Sequence, residues 1–241
     1  MYLLLAVLLQ LPAILMFHQV DRRPPADRLG RALTIEPEQL RDELEYIERR
    51  HLRAVSVDDF LEAARKHEPT DDMVLLTFDD GYEDQYTQAF PILLEYGAHA
   101  TFFITTGNVG KLNHLTWPQI RTMQRSGMSI GGHNVDHVDL SALRPEQQRR
   151  EIEGCLEALR VHAGIAADTY AYPGGTFNRA TERILEGEPV ELAFTTDPSH
   201  ELGDDARFEV ARIRIVPSGS LSRLSAQLHP TKVARLQVPR R

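Results

Sequence analysis

Cysteine is scarce in this chain, and acidic residues outnumber basic ones. The 241 residues include a single cysteine, Cys155, so no disulfide can form within the chain. We interpret Cys155 as a small buried residue on a helix rather than as a nucleophile. The formal net charge is −8. This balance argues against nucleic acid as a partner, because nucleic-acid-binding surfaces are basic.

The sequence also lacks an uninterrupted apolar run that could cross a membrane. Residues 2–17 are almost entirely apolar, but Gln10 and Pro12 interrupt them, and a spanning helix needs about 20 apolar residues. A signal peptide would begin with a basic segment, and none precedes this stretch. Residues 1–11 are therefore either the remnant of an export signal or anchor, or an apolar leader to a buried strand. Membrane association is expected only through this leader.

Short apolar runs alternate with amphipathic segments along most of the chain. The strand-like runs are residues 14–17, 53–57, 74–78, 100–105, 128–131, 169–172, 192–195 and 212–216. The helix-like segments are residues 37–50, 57–66, 86–96, 117–125, 145–162 and 178–186. Continuous apolar strands that alternate with helices predict an α/β fold with a parallel sheet covered by helices.

The composition changes after Val216. The last part of the chain begins with Ser218-Gly219-Ser220 and contains no acidic residue. Its basic residues are Arg223, Lys232, Arg235, Arg240 and Arg241. We predict that residues 218–241 form a basic, loosely packed tail outside the core, and we favour a solvated tail over one that binds anionic envelope polymers.

Two short motifs, far apart in the chain, resemble the halves of one metal site. Thr77-Phe78-Asp79-Asp80-Gly81 follows an apolar run and supplies two adjacent carboxylates. His133-Asn134-Val135-Asp136-His137 follows a second run and supplies two imidazoles at i and i+4. Together they offer two histidines and one aspartate for a divalent cation, with a second aspartate beside it. This set of groups is what metal-assisted hydrolysis requires.

Other polar residues also follow predicted strands. His18 comes after the first strand, the turn Tyr172-Pro173-Gly174-Gly175 after another, and Arg212 and Arg214 alternate along the last. The carboxyl ends of parallel strands meet at one edge of the sheet, where functional groups gather. Each motif alone has a simpler interpretation as a turn, a surface histidine or an exposed strand face. We favour a site because all the simpler interpretations would have to hold at the same edge.

The paired motifs make a resemblance specific. The chain resembles the polysaccharide deacetylases of the NodB-homology type, carbohydrate esterase family 4. The first motif matches that family letter for letter, and the second, His-(Ser/Thr)-x-x-His, matches except at Asn134. The resemblance implies a distorted (β/α) barrel with about seven parallel strands over residues 12–217. It also implies three metal ligands and a catalytic base, namely Asp80, His133 and His137 as ligands and Asp79 as the base.

The later motifs depart from the common family pattern. The third has Ala171-Tyr172-Pro173-Gly174 and so lacks the usual arginine and final tyrosine, and the fifth, residues 211–215, lacks the usual histidine. These departures resemble the subgroup that removes N-acetyl groups from exopolysaccharides such as poly-β-1,6-N-acetylglucosamine. That subgroup has segments similar to Met16-Phe17-His18 and Thr116-Trp117. The resemblance therefore implies His18 as the general acid and Arg212 as the arginine beside the base.

The same resemblance implies substrate contacts. The backbone of the turn at Tyr172, Pro173 and Gly174 would supply an oxyanion donor. Aromatic side chains could stack on sugar rings, and the candidates are Trp117, Tyr82, Phe177 and Tyr172. For Trp117, packing in the core is an equal alternative.

The function we expect is metal-dependent hydrolysis of N-acetyl groups from an N-acetylglucosamine-containing polysaccharide, with Zn²⁺, or another divalent transition metal such as Co²⁺ or Ni²⁺. Three alternatives stay open at this point: an O-acetyl esterase of the xylan type, hydrolysis of a small cyclic amide, and a catalytically weak relative that binds metal and sugar. The intact Asp79 argues against the last. We expect a monomer in the cell envelope or outside the cytoplasm, with a cytoplasmic location as the alternative.

Overall fold

Twelve strands and seven α-helices form in the part of the chain that the computed structural model describes, residues 7–197, 206–217 and 233–236. The strands are β1 Val7–Gln10, β2 Ala13–Phe17, β3 Gln19–Val20, β4 Thr34–Ile35, β5 Arg53–Val55, β6 Met73–Phe78, β7 Thr101–Ile104, β8 Ser129–Gly132, β9 Thr169–Ala171, β10 Leu192–Phe194, β11 Ile213–Arg214 and β12 Val233–Leu236. The helices are α1 Arg28–Leu33, α2 Pro37–Arg49, α3 Val57–Arg65, α4 Phe90–Glu95, α5 Trp117–Arg125, α6 Pro145–Ala163 and α7 Arg179–Glu186.

An eight-stranded parallel sheet organises these elements. Seven strands lie side by side in the order β10-β9-β8-β7-β6-β2-β11, and β5 pairs with β6 off this path. Every pairing in this sheet is parallel. A parallel connection needs a crossover, and helices supply most of the crossovers here. The prediction of a distorted (β/α) barrel with about seven parallel strands is confirmed.

The segment before and within β11 contacts both ends of this curled sheet. Val210 bridges to Phe194 at the end of β10, where the Thr195 N–H donates to the Val210 carbonyl at 2.9 Å. A few residues later, Ile213 pairs with Leu15 of β2. The chain between these two contacts is therefore held across the opening of the barrel, and Arg212 lies in that stretch.

Alternating strand residues bury two hydrophobic clusters on opposite faces of the sheet. Leu76 of β6 belongs to the large cluster that also holds the apolar faces of α2, α4, α5 and α6. Its neighbour Leu75 belongs to a second cluster with Phe60 and Leu61 of α3. Side chains alternate between the faces of a strand, so α3 packs on the face opposite to the other helices.

Helix boundaries differ from the sequence prediction at two places. Ser56 caps α3 by accepting from the Asp59 N–H at 3.1 Å, so the strand predicted for residues 53–57 ends at Val55. The helix predicted for residues 86–96 is a π-helical turn, Gln85–Ala89, followed by α4. Pro91 explains the break, because proline lacks the N–H that would continue an α-helical ladder.

The two ends of the chain meet in a separate small sheet. Strand β1, in the predicted leader, pairs antiparallel with β12, in the predicted tail. These four residues of the tail are therefore hydrogen-bonded to the leader instead of lying free. The remainder of both segments, residues 1–6, 218–232 and 237–241, lies outside the described residues, and the three segment boundaries stay predictions. Among the described helices, none combines the length and the apolar composition needed to cross a membrane.

Candidate metal-binding and catalytic site

The sequence-predicted site residues follow the carboxyl ends of strands in one parallel sheet. Asp79 and Asp80 come directly after β6, His133 directly after β8, and His18 directly after β2. Because these strands are parallel, their ends lie at one edge of the barrel. The structure brings all four residues to that edge.

Asp80, His133 and His137 form a compact donor set. Asp80 Oδ1 lies 3.2 Å from His133 Nε2 and 3.0 Å from His137 Nε2. One ligand atom from each residue lies within 4.8 Å of the others. Two imidazoles and one carboxylate form the donor set of many catalytic zinc sites, which leave further positions open.

The chemistry of these donors fits a cation. Asp80 Oδ1 is buried and has no hydrogen-bond donor among the described residues, although two ring nitrogens face it. Burial alone would raise the pKa of Asp80, but the imidazoles of His133 and His137 hold that pKa well below its ordinary value. His133 Nδ1–H donates to the Ala171 carbonyl at 2.7 Å, which leaves a lone pair on Nε2. His133 Nε2 thus presents a lone pair toward Asp80, while the neighbouring Asp80 carboxylate raises the pKa of His137 above its ordinary value.

Backbone strain is concentrated in the same place. Asp80, Asn134 and His137 have φ angles of 78°, 63° and 53°, in the left-handed region that favours glycine. Residues held there cost about 1–3 kcal/mol each and persist where the surrounding structure fixes them. The Asn134 N–H donates to the Tyr170 hydroxyl at 3.0 Å, and that hydroxyl donates to Asn134 Oδ1. The departure from the family's Ser/Thr is therefore accommodated, because asparagine tolerates this conformation and Tyr170 binds its side chain.

Glu151 on α6 holds the loop that carries His137. Its Oε2 accepts the Val135 N–H at 3.0 Å and the Asp136 N–H at 2.9 Å. Sequence reasoning did not find Glu151, because it is one of several glutamates on this helix and nothing in the sequence separates it from the others. The contact depends on how α6 packs beside β8.

We expect Glu151→Ala to weaken zinc affinity by about 10- to 100-fold, since outer residues that orient metal ligands have effects of that size. Competition with a chromophoric chelator measures this affinity on folded protein. Glu153→Ala is the matched control, because Glu153 lies on the same helix and pairs only with Arg149 among the salt bridges of the described residues. Equal affinities of the two variants would contradict the role of Glu151.

The second carboxylate, Asp79, is buried in a paired ion contact. Arg212 Nη1 and Nη2 donate to the two carboxylate oxygens of Asp79, each at 2.7 Å. Arg212 also donates to Thr77 Oγ1 at 3.1 Å and to the Thr195 carbonyl at 3.2 Å. Its guanidinium carbon lies 5.5 Å from the centre of the Phe103 ring. The arginine is therefore fixed from several sides, and it fixes the carboxylate in turn.

This pairing sets the charge of Asp79. Complete burial would by itself raise the pKa of Asp79, but the charge and the hydrogen bonds of Arg212 lower it below its ordinary value. Asp79 is therefore ionised at neutral pH. Each of its oxygens accepts from Arg212 and keeps a further lone pair that can receive a proton.

His18 lies beside both carboxylates. Burial lowers the pKa of His18 below its ordinary value, and the charges of Asp79 and Asp80 oppose this shift. His18 Nδ1 is buried and has no hydrogen-bond partner in the described part of the chain. The ring thus lies in the electrostatic field of both carboxylates, and it is neutral at neutral pH.

The turn after β9 supplies fewer free donors than the sequence predicts. The Tyr172 N–H donates to the Phe194 carbonyl at 3.0 Å, and Pro173 has no N–H. The Tyr172 side chain is fully buried, and its hydroxyl donates to the Phe208 carbonyl at 2.9 Å. Tyr172 is therefore a core residue and cannot stack on a sugar. In this turn, Gly174 with φ 62° is the residue whose N–H stays a predicted oxyanion donor.

Trp117 is half-buried against the core, and it stays a predicted substrate contact. Its ring stacks on His162, near the end of α6, with 5.0 Å between ring centroids. Thr116 and Gln119 form a capping box at the start of α5, so the Thr-Trp segment marks a helix start. Tyr82, next to the Asp80 loop and stacked on His114 at 5.3 Å, is the better-placed stacking candidate. Phe177 stacks on the buried Tyr172 at 4.8 Å.

Comparison with known proteins agrees with this geometry. The sequence model described as polysaccharide deacetylase matches residues 66–191, which include the Asp-Asp pair and both histidines. The chain belongs to the polysaccharide deacetylase family. The matched region extends from the end of α3 to the start of β10, and it contains the whole candidate metal site.

Relatives and solved structures within the family are similar over most of this chain. YxkH of Bacillus subtilis (strain 168) is 33% identical over 164 residues, 68% of this chain, but the chain spans only 59% of that protein. The deacetylase PplD of Streptococcus pyogenes, solved with acetate, has a TM-score of 0.82 at 29% identity and covers 91% of this chain and 98% of its own. The poly-β-1,6-N-acetyl-D-glucosamine N-deacetylase of Staphylococcus aureus (strain MRSA252) is 21% identical over 196 residues, 76% of this chain and 68% of that protein.

Proposed function

We propose that this deacetylase removes N-acetyl groups from an N-acetylglucosamine-containing polysaccharide, in a zinc-dependent hydrolysis that releases acetate. The observation that carries the proposal is the donor set of Asp80, His133 and His137, with ligand atoms within 4.8 Å. Beside it, Asp79 is buried, ionised and held by Arg212. A protein that only bound metal would have no need for this second carboxylate.

The three donors would hold the cation, which when bound supplies a Lewis acid and lowers the pKa of water toward about 7. Asp79 takes a proton from the attacking water as the general base. Asp79 is a weak base, so it can take this proton only from a water whose pKa is lowered in the site. Arg212 keeps Asp79 ionised and fixes the direction of its oxygens.

Two further groups act on the amide. The Gly174 N–H donates to the acetyl oxygen as negative charge develops there, which is the role of an oxyanion donor. His18 delivers a proton to the leaving nitrogen. Because the ring is neutral beforehand, it has to gain that proton during the reaction, and the proton released from water is the available one. The C–N bond breaks, and acetate and a free amino sugar leave.

An N-acetyl substrate is favoured over an O-acetyl substrate by two observations. One is the Staphylococcus aureus relative, whose name states a poly-β-1,6-N-acetyl-D-glucosamine substrate. The other is the pairing of Arg212 with Asp79, which supports the resemblance to exopolysaccharide deacetylases. We extend the proposal to a monomer that acts on envelope or extracytoplasmic polysaccharide, where such acetylated polymers lie.

Acetate release tests the proposal directly. Purified protein is incubated with N-acetylglucosamine oligomers and, in parallel, with acetylated xylan, each with and without a chelator. We expect acetate from the N-acetylated oligomers, loss of release with the chelator, and recovery on addition of Zn²⁺. Release from xylan alone would replace the N-deacetylase with an esterase, and release that survives the chelator would remove the metal from the mechanism.

We expect His18→Ala to lower kcat by about 10²-fold or more, the usual contribution of a positioned general acid, while metal content stays unchanged. Steady-state kinetics and metal analysis on the same preparation measure both. His51→Ala is the control, since His51 is exposed and lies between α2 and the amino end of β5, away from the carboxyl edge of the sheet. If kcat of His18→Ala equals that of the control, another group is the acid.

A further inference from the structure

Gln85 joins the ends of the two strands that carry the general base and the predicted acid. Its side chain is completely buried. Its Nε2 donates to the His18 carbonyl at 2.8 Å and to the Asp79 carbonyl at 2.5 Å. An amide nitrogen has two hydrogens, so both are used on backbone oxygens of site residues.

These two bonds extend the sheet past the point where its ladder stops. The last ladder contact on this side is the Asp79 N–H donating to the Phe17 carbonyl at 3.0 Å. Beyond it, β2 and β6 diverge into loops, and their next carbonyls would lack a donor. Gln85 reaches them because a π-helical turn begins at this residue. Such turns are frequent at functional sites.

The bond to the Asp79 carbonyl has a specific consequence. That carbonyl belongs to the peptide unit between Asp79 and Asp80, so its direction is coupled to the φ angle of Asp80, which is 78°. A non-glycine residue relaxes from this region unless something holds it. The orientation of this one peptide unit decides that Asp79 points to Arg212 while Asp80 points to the two imidazoles.

We infer that Gln85 is a positioning residue that sets the relative orientation of the Asp79 and Asp80 carboxylates and the distance of His18 from both. The inference rests on the proposed function for its catalytic consequence, but not for its geometry. Gln85 acts through the backbone and touches neither metal nor substrate.

The remaining atom of the side chain supports a role beyond packing. Gln85 Oε1 is buried and has no hydrogen-bond partner in the described residues. An unsatisfied buried acceptor costs about 1–3 kcal/mol. An apolar side chain of the same size would remove this cost but would leave the His18 and Asp79 carbonyls without a donor, so the contribution of Gln85 lies in its two donor hydrogens.

The chain offers a matched control for the test. Gln148 is the other fully buried glutamine of the described residues, and its amide bonds Leu143, just before α6, and Thr181 on α7. Gln85→Met and Gln148→Met remove the same groups from similarly buried positions.

We expect Gln85→Met to lower zinc affinity by about 10-fold or more and kcat by about 10²-fold, with KM unchanged. Gln148→Met should lower the unfolding midpoint and leave zinc affinity and kcat at the wild-type values.

Wild-type zinc affinity and kcat in folded Gln85→Met would overturn the inference. If Gln85→Met does not fold, Gln85→Asn takes its place, because its shorter amide keeps the polarity but cannot reach both carbonyls. If wild-type protein binds zinc but releases no acetate, the proposed function fails and the zinc affinities still decide the role of Gln85. If it binds no zinc, the crystal structure of Gln85→Met decides: an Asp80 that keeps its left-handed φ refutes the positioning role.

Discussion

Asp79→Asn is expected to retain bound zinc and to lose kcat by about 10²- to 10⁴-fold, the usual contribution of a general base. The substitution keeps the size of the side chain and removes only its ability to take a proton. Asp79 is not one of the three converging donors, which are Asp80, His133 and His137. We therefore expect Asp79→Asn to keep its metal content while its turnover is lost.

His133→Ala provides the contrast. It removes a donor whose Nε2 faces Asp80 Oδ1 at 3.2 Å, so it should lose both metal and turnover. Metal analysis after dialysis, together with acetate release, measures the two variants in parallel. Loss of zinc from Asp79→Asn would make Asp79 a ligand instead of a base. Full zinc content in His133→Ala would refute the metal site.

The folded fraction of Asp79→Asn has to be measured as well. Asparagine presents an NH₂ group toward a guanidinium that now pairs with two carboxylate oxygens. Arg212 would then be a buried cation without a counter-charge, which is costly. Circular dichroism at the assay temperature distinguishes a folded, inactive protein from an unfolded one.

The principal features of this site could be predicted from sequence because they depend on local order along the chain. Asp79 and Asp80 follow one apolar strand and His133 follows another, and parallel strands bring such residues to the same edge. The eight apolar runs correspond to the eight strands of the parallel sheet, whereas the barrel of about seven strands was implied by the family resemblance. Neither inference requires knowledge of how any two helices pack.

The supporting contacts could not be predicted because they depend on packing between distant segments. Glu151 reaches the His137 loop from α6, and Gln85 reaches two strand ends through a π-helical turn. Glutamate and glutamine are common on helices, so their residue types give no signal. Trp117 stacks on His162, a contact between distant segments that the sequence could not show, and its role toward the substrate stays a prediction.

Arg212 combines one feature that could be predicted from the sequence with one that could not. Strand alternation predicted that Arg212 and Arg214 share a face, and the charges of both act on His18. Arg214 is exposed, however, whereas Arg212 is buried and lies just before β11. Its burial follows from the way residues 210–215 contact both ends of the sheet. The contribution of Arg212 to stability therefore depends on the closure of the barrel.

Arg212→Met is expected to lower the free energy of unfolding by about 3–5 kcal/mol, because removing one partner of a buried ion pair leaves an uncompensated charge. Asp79 would remain in a site with 1% side-chain exposure. Chemical denaturation at neutral pH measures the loss. Arg214→Met is the control and should change stability by no more than about 0.5 kcal/mol, as exposed substitutions do. Equal losses of unfolding free energy in the two variants would contradict the proposed contribution of the buried Asp79–Arg212 pair to stability.

The double variant Asp79→Asn/Arg212→Met isolates the pair itself. Without either charge, the site has no unpaired ion, so the double variant should be more stable than Arg212→Met alone.

The contribution of the Asp79–Arg212 pair to the free energy of unfolding should also depend on pH with a definite sign. The folded-state pKa of Asp79 is lowered, so its contribution to wild-type stability is present above the unfolded pKa of about 3.9 and is lost as pH falls through the folded value. The stability gap between wild type and Arg212→Met should therefore narrow in acid, and a gap that widened there would mean that Asp79 is not the ionised partner.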